Sequence, residues 1–334
     1  MSDICIKILP ASYGDSILLL FKTTTFLIDG GTRYTFKKDI SKILKEYFTS
    51  NTNNFIVLTH IDSDHIGGIK YLFENDIYNI TNKIKAVIFN TSDFYKELNP
   101  NAIGNPPSML FNDDNKTSFI EGKKFEAILK QKNIQIIDKI KSLSTLTIDG
   151  INITFLSPSQ ETISKYKTWL EKQDISPTSY MCDYSIPITE LISCQFDEDS
   201  SVTNASSLSM LVEYQGKKIL LLGDSIPSDV VSSLYSLGYS KEHKLKVDII
   251  KLSHHGSKKN TSHKLLELLE CNKYIISTDG KKHGHPNKET LAKIIHTQNS
   301  PEFLFNYEIF ENIFTAKDKD EYQFKTTLCR EVKI

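Results

Sequence analysis

The stretch Thr59-His60-Ile61-Asp62-Ser63-Asp64-His65-Ile66-Gly67-Gly68 follows directly on the apolar run FIVLT at 55–59. That run is too short for a helix and reads as a buried strand, whereas residues 66–74 carry helical character. The chain must therefore pass from strand to helix within a few residues, as layered α/β folds do. Four side chains able to hold a divalent cation fall in this single turn, and loops at strand ends are where α/β proteins commonly carry their sites. While the backbone stays extended, His60, Asp62 and Asp64 point to one face, and a turn into the helix at Ile66 swings His65 round to join them. Carboxylates with imidazoles suit Zn²⁺ or Mn²⁺, and the absence of thiolates argues against a structural zinc site. A plain helix start would need one acid as a cap and no histidine.

Before this turn, ICIKIL (4–9), SILLLF (16–21) and TFLID (25–29) read as strands separated by Gly14 and Gly30-Gly31, followed by a helix from about Lys37 to Phe48. IKAVIF (84–89) is a further strand. Residues 91–122 and 175–203 are polar and irregular and read as insertions in one domain spanning 1–334. Between and after them strands and helices alternate: LTIDG and INITFL, SLSMLVEY, KKILLLG, a helix near 228–237, KVDIIKLS, a helix near 262–269, YIIST and a helix from about Lys288. The final thirty residues look strand-like.

Three later motifs sit at strand ends. LLLGDSI places Asp224 where its carboxylate could bridge two ions, although a lone strand-end Asp is more often a turn residue. KLSHHGS places His254 and His255 together. Adjacent residues in extended backbone face opposite ways, so one ligand is expected, His255, with His254 supporting it or touching substrate; the reverse assignment stays open. His283-Gly284-His285-Pro286 follows YIIST, and for these loop histidines a site role and plain solvation are weighed equally.

Composition narrows the class without naming a partner. The chain of 334 residues has a net charge of −1, and 39% of its residues are hydrophobic and 24% charged, an ordinary soluble globular balance. No apolar run of about 18 residues suggests a membrane span, and the N-terminal residues lack a secretory pattern. Five scattered cysteines, never spaced CxxC, fit free thiols in a cytoplasmic protein.

In order, YGDSILL, LIDGG, LTHIDSDHIGG, the Asn204 to Ser207 segment, LLLGD, LSHHGS and GHP resemble the metallo-β-lactamase superfamily, and within it the hydrolase domain of the competence protein ComEC. The resemblance spans residues 9–286 and implies a four-layer αββα sandwich holding two divalent ions, Zn or Mn, at one edge. It implies His60, Asp62, Asp64, His65, Asp224 and His255 as metal ligands. Asp62 stands where most members have His, as in the ComEC-like branch. No histidine lies between His65 and Asp224, so the separate histidine that usually completes the first site is missing. Asn204 or Asp183 could assist there, and Mn²⁺ gains weight as the native ion.

Two ions so held lower the pKa of a bridging water, and the hydroxide attacks phosphorus or a carbonyl carbon. Asp64 could also orient that nucleophile, and His254 or His285 could protonate the leaving group or contact a phosphate. The expected activity is a phosphodiesterase or nuclease, with nucleic acid or another phosphodiester as substrate. Residues 241–293 hold twelve Lys against six Asp and Glu, and Lys251, Lys258, Lys259, Lys281 and Lys282 are expected to rim the site. The alternatives are a hydrolase of a small ester, thioester or lactam, and a metal-stabilised module with little turnover that works with protein partners in a multi-component system.

Overall fold

Period-two burial sorts the strand residues between two cores. The computed structural model describes residues 4–92, 94, 113–164 and 182–334, with backbone alone for 113–119. In β3 (Thr24–Ile28), Phe26 and Ile28 face a core between two sheets while Leu27 faces a core under helices. In β10 (Lys217–Leu221), Ile219 and Leu221 enter the same inter-sheet core, and Leu220 points outward to the opposite helical layer.

Among the described residues the first sheet has seven strands, in the order β17 (Glu331–Lys333), β1 (Cys5–Ile8), β2 (Ile17–Leu20), β3, β4 (Asn53–Val57), β5 (Ile84–Ile88) and β6 (Gln135–Ile137). The second has eight, β16 (Lys325–Leu328), β15 (Glu302–Phe305), β14 (Lys273–Ile276), β12 (Ile249–Lys251), β10, β9 (Ser209–Tyr214), β8 (Ile151–Ser157) and β7 (Thr145–Ile148), with β11 (Leu245–Lys246) and β13 (Leu269–Glu270) forming a separate pair. The helices Ser41–Tyr47, Ser63–Asn75 and Asp113–Gln131 cover the outer face of the first. Pro227–Ser236, His263–Glu267 and Lys288–Thr297 cover that of the second. The result is helix, sheet, sheet, helix, the expected αββα order, held by three apolar layers in which each fully buried Leu, Ile or Phe contributes ~1.5–3 kcal/mol.

Several local expectations shift. The helix of the main motif begins at Ser63, not Ile66, so Asp64 and His65 ride its first turn instead of an extended run. Of the 91–122 insertion, residues 93 and 95–112 lie outside the described residues, and from Asp113 the chain is helical and joins the outer layer. In the second insertion 175–181 lie outside them, and the remainder includes the short helices Ile188–Leu191 and Val202–Ala205. The final thirty residues include a helix, Ala316–Glu321, between β15 (Glu302–Phe305) and β16 (Lys325–Leu328). The last strand, β17 (Glu331–Lys333), returns to pair antiparallel with β1 (Cys5–Ile8).

β3 runs parallel to β4 (Asn53–Val57), and β10, β12 (Ile249–Lys251) and β14 (Lys273–Ile276) run parallel in the other sheet. Their C-terminal ends meet at one edge of the sandwich, where the amide of Leu208 donates to the Thr59 carbonyl across 3.0 Å.

Candidate metal centre

The candidate residues reach the edge from three strand ends, His60 to His65 after β4, Asp224 after β10, and His254 with His255 after β12. His60 lies just past β4, and Asp62 is the N-cap position of the Ser63–Asn75 helix. The Asp62 side chain makes no cap bond; it accepts from Thr203 Oγ1 at 2.8 Å, so its carboxylate is turned away from the helix amides. The helix is seated by close backbone contact: a Cβ on Gly68 would lie 2.0 Å from the Gly30 carbonyl oxygen. Asp224 follows Gly223, whose φ of +50° and whose lack of a Cβ, which would meet Ser207 Oγ at 2.5 Å, let the strand end turn tightly. The Asp224 amide then donates to Ser207 Oγ at 3.0 Å.

The Asp224 carboxylate is the hub. Its Oδ2 lies 3.4 Å from His65 Nε2, 3.8 Å from His60 Nε2, and 3.9 Å from Nε2 of both His254 and His255. Asp64 Oδ2 stands 3.6 Å from His255 Nε2, and Asp62 Oδ2 3.6 Å from His60 Nε2. The expectation that His254 and His255 face opposite ways fails. Both residues are left-handed, with φ of +46° and +55°, so the chain is not extended there and both rings turn toward Asp224.

Behind the rings a second layer fixes their tilt. His65 Nδ1 contacts Asp29 Oδ2 at 2.8 Å, and Asp29 also accepts from the Thr59 amide and hydroxyl. His255 Nδ1 meets the Ser277 carbonyl at 2.9 Å and Asp15 Oδ1 at 3.3 Å. His60 Nδ1 meets Thr59 Oγ1 at 3.0 Å. Asn204 does not stand among the inward-facing groups; its Nδ2 lies behind His254, 3.3 Å from Nδ1. Asp183 is also elsewhere, accepting from the amides of Lys288 and Glu289 at the start of the Lys288–Thr297 helix. Nothing local in the sequence marks Asp15 or Asp199 as neighbours of the histidines; only the fold brings them there.

Lys251 departs most from its expected place. It is 1% exposed and is not a rim residue. Its ammonium is held by Asp15, donates to the Gly223 carbonyl at 3.1 Å and lies 4.0 Å from Asp224 Oδ1. The other four lysines do reach the surface. Lys258 lies 3.6 Å from Glu289, Lys259 3.0 Å from Asp197 and Lys281 3.7 Å from Asp279, while Lys282 lies over the Tyr13 ring.

The electrostatics are those of a cluster built around positive charge. Burial would raise the Asp224 carboxyl, yet His65, His254 and His255 hold it well below the usual carboxylate range. Burial would lower His65, but Asp224 and Asp29 hold it well above its usual value. For His255 the carboxylates of Asp15 and Asp224 likewise outweigh burial, raising it to about 9. His285 is different. Burial, His254, His255 and His283 together hold it well below the histidine range, so its ring is neutral at pH 7.

Nε2 of His60, His65 and His255 and Oδ1 of Asp224 are buried without a hydrogen-bond partner. Leaving such groups unmet costs ~1–3 kcal/mol each, so their convergence calls for an occupant. A divalent cation fits this donor set: His60, His65 and Asp224 form one group whose ligand atoms lie within 4.8 Å of one another, and Asp64, His65 and His255 form another. Beside His60 opens a small cleft whose lining includes Ile61, Phe89, Asn90, Lys123 and Glu126.

Similarity to known proteins is distant. The solved structures that match include three with the following likeness. YhfI of Bacillus subtilis, a metallo-β-lactamase fold protein, is 12% identical over 100% of both chains with a TM-score of 0.44. CmlA of Streptomyces venezuelae, a diiron β-hydroxylase, is 12% identical over 100% of this chain and 54% of its own, with a TM-score of 0.44. A diphosphatase of the PhnP family is 10% identical over 99% of this chain and 97% of its own, also at 0.44. No curated protein matches the sequence. Among the described residues no helix is long and apolar enough to cross a membrane. The metallo-beta-lactamase superfamily model matches residues 9–114, which carry Asp15, Asp29 and the His60 to His65 motif, and this match supports that superfamily for the chain.

Proposed function

We propose that this protein is a two-metal hydrolase that cleaves phosphodiesters, nucleic acid among them. The observation that carries the reading is the inward convergence of unpartnered imidazole nitrogens on the buried Asp224 carboxylate. His60, Asp62 and Asp224 would hold one ion, and Asp64, His65, His255 and Asp224 the other. Zn²⁺ or Mn²⁺ bound there supplies a nucleophile at neutral pH and a clamp for the developing oxyanion. Asp64, partly open to solvent, is placed to orient the attacking water. The neutral ring of His285, 4.8 Å from that of His254, is suited to a hydrogen bond with a phosphate oxygen.

The lysines supply the case for a phosphodiester. Lys258 and Lys259 lie in the loop after His255, and Lys281 and Lys282 in the loop before His285. The ion pairs of Lys258, Lys259 and Lys281 at the surface are individually worth ~0–1 kcal/mol, so exchanging a carboxylate for a phosphate costs little.

The test loads the protein with Zn²⁺ or Mn²⁺ and offers single- and double-stranded DNA, RNA, a chromogenic phosphodiester and a small uncharged ester. Metal-dependent cleavage of a phosphodiester is expected. Replacing Lys258 and Lys259 together with Ala is expected to raise the Michaelis constant for a polynucleotide and flatten its salt dependence, because each lost phosphate contact removes a counterion-release term. Turnover of the ester alone would replace the phosphodiester reading with the small-ester one. Two bound ions with no turnover of any substrate would favour the partner module.

A further inference from the structure

Counting donors leaves the two proposed ions unequal. Asp64, His65, His255 and Asp224 surround one, while His60, Asp62 and Asp224 leave the other a protein donor short. We infer that His254 is the missing donor, so that each ion receives two imidazoles and one carboxylate of its own and shares Asp224. The inference rests on the two-metal reading above and completes its ligand set.

Four observations carry it. His254 Nε2 lies 3.9 Å from Asp224 Oδ2, as near as His255 Nε2 at 3.9 Å and within a tenth of an ångström of His60 Nε2 at 3.8 Å. Its other nitrogen is fully engaged: Nδ1 stands 3.1 Å from Asn260 Oδ1, 3.3 Å from Asp199 Oδ2 and 3.3 Å from Asn204 Nδ2. Asp199 is itself tied by Asn204 Nδ2 at 2.7 Å and Asn260 Nδ2 at 3.0 Å. His254 thus shares with the other three an Nδ1 held from behind and an Nε2 on the Asp224 side, while its side chain is 23% exposed where theirs are 0–3%, and a carboxylate behind the ring is the usual partner of a metal-bound histidine.

The third observation is backbone strain. Two consecutive non-glycine residues at φ of +46° and +55° cost ~1–3 kcal/mol each, and that conformation is what puts both rings on the Asp224 side. The fourth is the Val202–Ala205 helix, where Thr203 holds Asp62 and the next residue, Asn204, holds His254. Adjacent residues of one short helix therefore anchor both side chains assigned to the same ion.

Cobalt titration followed by absorbance, with elemental analysis of the dialysed product, tests the assignment on wild type, His254→Ala and Asp199→Asn. Wild type is expected to bind two ions per chain. His254→Ala should retain one tightly held ion, with affinity for the second reduced at least ~10-fold, and its manganese form should lose the exchange-coupled signal of an ion pair. Asp199→Asn, which keeps the ring and is the milder change, should weaken the same ion by ~10-fold, as loss of a ligand's supporting partner does. Circular dichroism confirms that each variant is folded. Two ions bound by folded His254→Ala with unchanged affinity would overturn this assignment alone. A wild-type protein that takes up no cobalt or manganese would overturn the two-metal reading and this one with it.

Discussion

Asp224→Asn, purified without chelator, is expected to hold at most one ion per chain and to hydrolyse the best substrate ~10³-fold more slowly than wild type, since a metal-activated water is what makes attack possible at neutral pH. The scale of the effect follows from position. One carboxylate oxygen is within 3.9 Å of four imidazole nitrogens, and among the described residues no other acid is so placed. The amide is isosteric but neutral, so it removes the charge that would link two cations while leaving the packing in place. It also leaves His65 and His255 with less negative charge to offset their burial, so metal-free Asp224→Asn should bind fewer protons near neutral pH than metal-free wild type. Elemental analysis and initial rates check the first two statements, and histidine NMR titration the third. Two tightly bound ions in this variant would refute the bridging role.

The second large effect is expected at a residue that touches no substrate. Lys251→Met should destabilise the metal-free protein by ~3–5 kcal/mol, because removing one partner of a buried ion pair strands the other charge. Here the stranded group is Asp15, 2% exposed and held at about 2 by the Lys251 ammonium and His255 against burial. The corresponding fall in melting temperature, measured in chelator to separate folding from metal affinity, is of order 5–10 °C. Pairing the change with Asp15→Asn should recover part of the loss, since an apolar residue beside a neutral amide leaves no unpaired charge. Lys251→Met with wild-type stability would show that the pair contributes nothing to the fold.

These two residues mark where local reading succeeds and where it stops. Asp224 was recognisable because it follows a buried strand and keeps company with histidine motifs in the same order along the chain. Lys251 lies in one of those histidine motifs, KLSHHGS, and its position flanking the histidines predicts a place on the rim of the site. Its burial depends on Asp15, 236 residues away. No window of sequence holds both partners. The end of the 91–122 segment departs from its reading for a related reason: a polar composition hid the start of the helix Asp113–Gln131, whose Phe125 and Leu129 are buried against the first sheet.

From the residues alone came the alternation of strands and helices and the short list His60, Asp62, Asp64, His65, Asp224, His255 as candidates for one centre; the two-sheet sandwich was what the family resemblance of those motifs implied. Periodicity and strand-end position are properties of neighbouring residues, and they survive any arrangement of the layers. Only the tertiary structure decided which way each side chain faces. The period-two argument put His254 and His255 on opposite sides, and it holds only in extended backbone. The left-handed turn at both residues is stabilised from outside the motif: the His254 amide bonds the Gly223 carbonyl at 2.9 Å, and the Asn287 amide bonds the Gly256 carbonyl at 3.0 Å. The sign of φ at two positions thus rests on contacts with strand ends and loops elsewhere in the chain, and it determines how many imidazoles face Asp224.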